Sequence, residues 1–133
     1  MCSGSLTAGR AGVAAERLIF APAVPQDEHL ARIRCADLAL DTLPIGSHTT
    51  GTDALWGGVP MLTCRGEAFA GRVGASLLLA VGLPDLIAES LEAYRERLLE
   101  LVAAPAPLAG WREHLEHGRA SLPLWDTRGF ARD

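Results

Sequence analysis

Apolar positions along the chain fall into short blocks separated by proline, glycine and small polar residues. The block Arg17-Leu18-Ile19-Phe20-Ala21-Pro22, closed by proline, predicts a buried parallel strand. Pro25-Gln26-Asp27-Glu28 then reads as a helix start, with proline early and carboxylates near the positive end of the dipole. That helix runs to about Ala36, with Leu30 and Ile33 on one face. Ala36 to Thr42 predicts a second strand, and Pro44 to Gly51 a loop by composition. A short helix from Thr52 to Trp56, ended by Gly57-Gly58, and a third strand from Val59 to Cys64 follow.

From Glu67 to Val81, Phe69, Val73, Leu77 and Ala80 or Val81 recur at helical spacing, and Gly71, Gly74, Ala75 and Ser76 allow close packing. Ser90 is the expected N-cap of a helix to Ala103, with Leu91, Tyr94, Leu98, Leu101 and Val102 on one face. Ala104-Pro105-Ala106-Pro107 stops it, and Leu108 to Ala120 offers one more helix through Trp111 and Leu115. The first sixteen residues are small and polar, with Gly12 a break after a partial helix. Strands alternating with helices predict an α/β fold, a parallel sheet with helices on its faces. Right-handed crossovers gather the strand-to-helix loops at one sheet edge, where ligands bind.

Composition narrows the function classes. Hydrophobic residues make up 49% of 133, enough for a sizeable core, and the formal net charge is −4. A mildly acidic chain without a Lys/Arg cluster argues against nucleic-acid binding and against docking on anionic membranes. The longest apolar run, Leu77 to Val81, is far short of the roughly 20 residues of a membrane span. Met1 to Ser5 lacks the basic and apolar regions of a signal peptide. Cys2, Cys35 and Cys64 are far apart and lack CxxC spacing, which points to a reducing cytoplasm and to neither disulfides nor a zinc site.

Two loops leave strand ends in this reading. One carries Pro25, Gln26, Glu28, His29 and Arg32; the other runs His48-Thr49-Thr50-Gly51-Thr52-Asp53. Thr49 and Thr50 fall at a helix start, with Asp53 three residues after Thr50 in a capping-box-like arrangement. Helix capping alone explains them. The alternative is that free N–H groups, two hydroxyls and an imidazole at a helix N-terminus suit a diphosphate, with Gly51 allowing close approach. His29 and Arg32 share a helix face, either solvated with Arg32 paired to Glu28, or bordering a nucleotide base. His114 and His117 sit among Arg112, Glu113, Glu116 and Arg119 and read as a solvated face, not as metal ligands. Trp56, Trp111 and Trp125 read as core, and neither Cys35 nor Cys64 has a neighbour in sequence to activate it. No GxGxxG or P-loop is present.

Taken together, Arg17 to Pro22, Glu28-His29, Ala36 to Thr42 and Gly46-Ser47-His48-Thr49-Thr50-Gly51-Thr52-Asp53-Ala54-Leu55-Trp56 resemble the C-terminal catalytic lobe of protein O-GlcNAc transferases. These are the SPINDLY-like inverting glycosyltransferases. Gly58 to Thr63, Gly66-Glu67, Arg72-Val73, Ala75-Ser76, Gly82-Leu83, Leu86 to Ala88, Tyr94 and Pro123 to Thr127 continue the pattern. The resemblance implies a GT-B architecture, with residues 17–125 forming the Rossmann-like donor-binding lobe, 1–16 a lead-in and 126–133 the start of a cut terminal helix. It implies UDP-N-acetylglucosamine (UDP-GlcNAc) as donor and Ser or Thr hydroxyls of proteins as acceptors. His48, Thr49 and Thr50 would stabilise the leaving diphosphate, and Asp53 would contact the ribose. His29 and Arg32, with backbone near Val24, would border the uracil.

The family often has lysine where this chain has Gln26, which weakens anion binding although glutamine still donates. The resemblance implies no cofactor and no metal requirement. Protein acceptors would be engaged through a further N-terminal lobe and TPR repeats, and a lysine serving the phosphates lies upstream of the segment matched here. Two alternatives stay open: a related transferase using another nucleotide sugar such as GDP-fucose, and a non-catalytic nucleotide-binding or interaction module.

Overall fold

The computed structural model describes residues 8–132. Residues 1–7, with Cys2, and Asp133 lie outside the described residues, so the lead-in expected over 1–16 is seen only from residue 8. A helical turn at 8–10 ends at Gly12, whose φ of 75° favours glycine at this break.

Three short parallel strands, β1 (Ala39–Leu40), β2 (Met61–Cys64) and β3 (Ile87–Ala88), lie in the order β1-β2-β3. Ala39 pairs with Met61 and Thr63 with Ile87. Helices α1 (Gln26–Ile33), α2 (Thr49–Trp56), α3 (Phe69–Ala80), α4 (Leu91–Ala103), α5 (Ala106–Gly118) and α6 (Thr127–Phe130) fill the connections. The α/β architecture expected from the alternating blocks is therefore present.

All four residues of β2 are buried, because a central parallel strand is covered on both faces. Around it Leu55, Met61, Leu62, Leu78, Val81, Leu83, Leu86, Leu101 and Leu115 form one core. Fully burying a side chain of this size stabilises by about 1.5–3 kcal/mol, so these nine residues hold the sheet against its helices. Among the described residues, no helix is long and apolar enough to cross a membrane.

Helix α4 begins where its sequence signals it: the Ser90 side chain accepts a hydrogen bond from the Ala93 N–H at 3.1 Å. Ser90→Ala is expected to cost about 1 kcal/mol, read as a lower urea midpoint at unchanged slope. Gly58, with φ of 81°, lets the chain turn out of α2 towards β2 in the left-handed region.

Several expectations are corrected. The run from Arg17 to Pro22 is not a strand: it makes no ladder bonds, and Ile19 and Phe20 are 90% and 61% exposed. None of the three strands among the described residues pairs with it, and an apolar run without ladder partners for its N–H and C=O groups is not held in a sheet. The second and third strands are each shorter than expected, and the two-residue β3, entered from a turn at Pro84–Leu86, is too brief to show a sequence period. In α4 only Leu101 is fully buried; Tyr94 and Leu98 are half-buried, while Leu91 and Val102 are exposed. Trp56 is not core either: at 41% exposure it packs edge-on against Trp125 and under the Arg119 guanidinium.

Candidate nucleotide-sugar site

The loop leaving the C-terminal end of β1 runs from Asp41 to His48 and delivers the chain into α2. A parallel sheet collects ligand-binding loops at this edge. The helix starts at Thr49, three residues earlier than the composition suggests, so Thr49 and Thr50 occupy its first turn and are not its cap. His48 is the N-cap and makes no side-chain capping bond. The capping-box arrangement of Thr50 and Asp53 is thereby replaced, since both residues lie inside the helix.

The consequence is an open helix terminus. The His48 carbonyl is the first to accept along the helix, from the Thr52 N–H and the Thr52 hydroxyl at 3.1 Å each. The N–H groups of Thr49, Thr50 and Gly51 therefore precede the first helical bond. The side chains of His48, Thr49 and Thr50 are exposed beside them. Gly51 is buried, and a Cβ there would meet the Met61 sulfur at 3.1 Å and Leu77 at 3.2 Å. Its role is thus to seat α2 on β2 and α3, not to admit a ligand.

The second loop supplies the other end of the site. His29 on α1 places Nε2 3.6 Å from Asp53 Oδ2 on α2, joining the two helices that sequence reasoning treated separately. Arg32 donates from Nη1 to the Pro22 carbonyl at 2.8 Å and holds Nη2 3.5 Å from His29 Nδ1. That geometry displaces the expected Arg32–Glu28 pair and ties the chain before α1 to the helix. Val24 is half-buried and Gln26, the first residue of α1, is exposed. The structure thus brings His29, Arg32 and Asp53 together, beside a terminus carrying His48, Thr49 and Thr50.

Two contributors carried no signal strong enough to single them out. Phe69, read as part of the core stripe of its helix, is 81% exposed at the start of α3 and meets the His48 ring edge-on at 6.4 Å. Asp41, read only as the end of a strand, is buried and hydrogen-bonded throughout. A carboxylate directly after the apolar Leu38-Ala39-Leu40 was the available clue.

Outside the site, His114 Nε2 meets the Val81 carbonyl at 2.8 Å and His117 lies 3.9 Å from Glu113. Among the described residues, no group of three or more His, Cys, Asp or Glu could hold a metal ion. Cys64 is buried; burial first, then the charges of Glu89 and Glu92, push its thiol up, away from the reactive thiolate.

The model of glycosyl transferase family 41 matches residues 4–133. The chain belongs to this family. It is 40% identical over 123 residues to the Arabidopsis thaliana protein described as a probable UDP-N-acetylglucosamine–peptide N-acetylglucosaminyltransferase SEC, covering 92% of this chain and 13% of that one. It is 35% identical over 122 residues to a Caenorhabditis elegans UDP-N-acetylglucosamine–peptide N-acetylglucosaminyltransferase, covering 92% and 11%. A solved structure of a mutant Thermobaculum terrenum O-GlcNAc transferase superposes with a TM-score of 0.89 at 38% identity, over 96% of this chain and 25% of that one. The family 41 chain therefore has the architecture of part of a GT-B glycosyltransferase. It spans about an eighth of the length of the curated relatives it matches.

Proposed function

We propose that this chain is the donor-binding lobe of a protein O-GlcNAc transferase, and that its site takes UDP-GlcNAc. One observation carries the reading: the open N-terminus of α2, with exposed His48, Thr49 and Thr50, stands next to the His29–Asp53 contact between α1 and α2. Amides and a helix dipole favour the diphosphate at one end. At the other end, His29, Arg32 and backbone near Val24 face the uracil and Asp53 accepts from the ribose, with Gln26 donating alongside.

In the intact enzyme an acceptor Ser or Thr hydroxyl attacks the anomeric carbon as the bond from that carbon to the UDP oxygen breaks, with inversion. The hydroxyl proton leaves to a base outside this lobe. Negative charge grows on the departing diphosphate, and His48, Thr49, Thr50 and the α2 amides are the groups that stabilise it. Preorganised donors aimed at a developing oxyanion are the strongest catalytic device such a site has. The names of the Arabidopsis and Caenorhabditis relatives support this donor and a peptide acceptor. Protein acceptors and any TPR repeats belong to segments beyond the lobe. No metal is needed where a helix terminus and side-chain donors neutralise the diphosphate, and the cysteine usage suits a cytoplasmic protein.

Base selectivity tests the donor assignment. Saturation-transfer NMR with equimolar UDP and GDP is expected to show UDP bound at least tenfold more tightly. Equal or reversed preference would transfer the lobe to another nucleotide sugar.

A further inference from the structure

The loop that presents His48 would need an internal brace, because eight residues between β1 and α2 have many conformations to lose. Asp41 supplies one. Its Oδ1 accepts from the Thr42 N–H at 2.9 Å and from the Ser47 N–H at 2.5 Å, bonding both ends of the loop to one oxygen. Its Oδ2 accepts from the Thr63 hydroxyl on β2 at 2.7 Å. The backbone carbonyl of Asp41 accepts from the Tyr94 hydroxyl on α4 at 3.1 Å. Burial first, then the Asp41 charge and Cys64, push the Tyr94 hydroxyl up, so it keeps the proton it donates. Within the loop, the Gly46 N–H donates to the Ala70 carbonyl of α3 at 2.9 Å, and the Thr42 hydroxyl to the Ile45 carbonyl at 3.0 Å.

We infer that Asp41 is a positioning residue for the diphosphate end of the site. Acting through Ser47, it fixes the direction from which His48 and the first amides of α2 meet the ligand. The inference rests on the donor-site reading and deepens it: Asp41 touches no ligand itself, being buried behind the loop. Charge-assisted bonds to backbone N–H groups are about twice as strong as neutral ones, which is why a carboxylate, and not an amide, suits this position. The uracil end is held separately, through α1 and Pro22. A loss of Asp41 should therefore divide the ligand into an affected and an unaffected half.

The test uses the 133-residue chain as Asp41→Asn, with Thr63→Val removing only the hydroxyl partner and Thr63→Ser restoring it. Two readouts are taken. Amide hydrogen exchange without ligand should speed up at least tenfold at Thr42, Gly46 and Ser47 in Asp41→Asn, while the amides of α4 keep their protection. Titrations should show UDP binding weakened at least tenfold and uridine binding changed less than twofold, with a smaller UDP loss in Thr63→Val and recovery in Thr63→Ser. Unchanged exchange at the three loop amides, or equal losses of UDP and uridine, would overturn the inference. Should the wild-type chain bind neither ligand, the donor-site reading fails, and the exchange readout still decides whether Asp41 braces the loop.

Discussion

Gly74→Ala is expected to be among the most damaging single-methyl additions in this chain, lowering stability by about 2–4 kcal/mol. Gly74 lies on α3 where the helix crosses β2. A Cβ at this position would overlap Asp41 Oδ2 and stand 2.7 Å from the Thr63 hydroxyl oxygen. Neither neighbour can give easily, since the two are bonded to each other at 2.7 Å and the carboxylate also holds the loop. Either α3 backs away from the sheet or the Asp41–Thr63 bond breaks. Overpacking costs about 1–3 kcal/mol and a lost hydrogen bond to a charged group about 1.5–3. Alanine's better helix propensity returns only about 1 kcal/mol, so steric conflict wins.

Gly110→Ala is the matched control. Gly110 also sits inside a helix, α5, but a Cβ there meets nothing within 4 Å. The propensity term then acts alone, and the substitution should stabilise by up to about 1 kcal/mol. Thermal unfolding of the two variants should give midpoint shifts of opposite sign; shifts of the same sign would contradict the packing described around Asp41.

His48→Ala and Thr50→Ala are expected to lose UDP affinity by about tenfold or more each, with little change in the unfolding midpoint. Hydrogen bonds to charged groups contribute about 1.5–3 kcal/mol, and 1.4 kcal/mol is a factor of ten. Both side chains are exposed and make no capping bond, so little stability is at stake. Titration calorimetry beside thermal unfolding separates the two effects. A large midpoint loss with unaltered UDP affinity would return these residues to a structural role.

How much of this was legible beforehand differs by element. The N-cap at Ser90 and the helix end at Gly57-Gly58 are local devices, set by residues a few positions apart, and they stand where the sequence indicates. His48-Thr49-Thr50 could be placed at the start of a helix by the same local logic, although the boundary shifted by three residues. The strand expected over Arg17 to Pro22 failed because a strand is completed by a neighbour, and apolar composition says nothing about whether one is there. Phe69 was misplaced because helical spacing marks a face without saying how far along the helix the core reaches. The His29–Asp53 contact and the bonds of Asp41 to Ser47, Thr63 and Tyr94 join residues six to fifty-three positions apart, beyond what spacing on one element can show. The His29–Arg32 face and the helix start at His48-Thr49-Thr50 were therefore visible separately, and the brace between the loop and the sheet was not.

On the proposed function, the open end of α2 and the α1–α2 contact form one site for a uridine diphosphate. Isothermal titration of UDP into the folded wild-type chain tests it most directly. A saturable heat at one site per chain, with a micromolar-to-millimolar dissociation constant, is the predicted result. Absence of any heat from a sample whose cooperative unfolding shows it to be folded would contradict the claim.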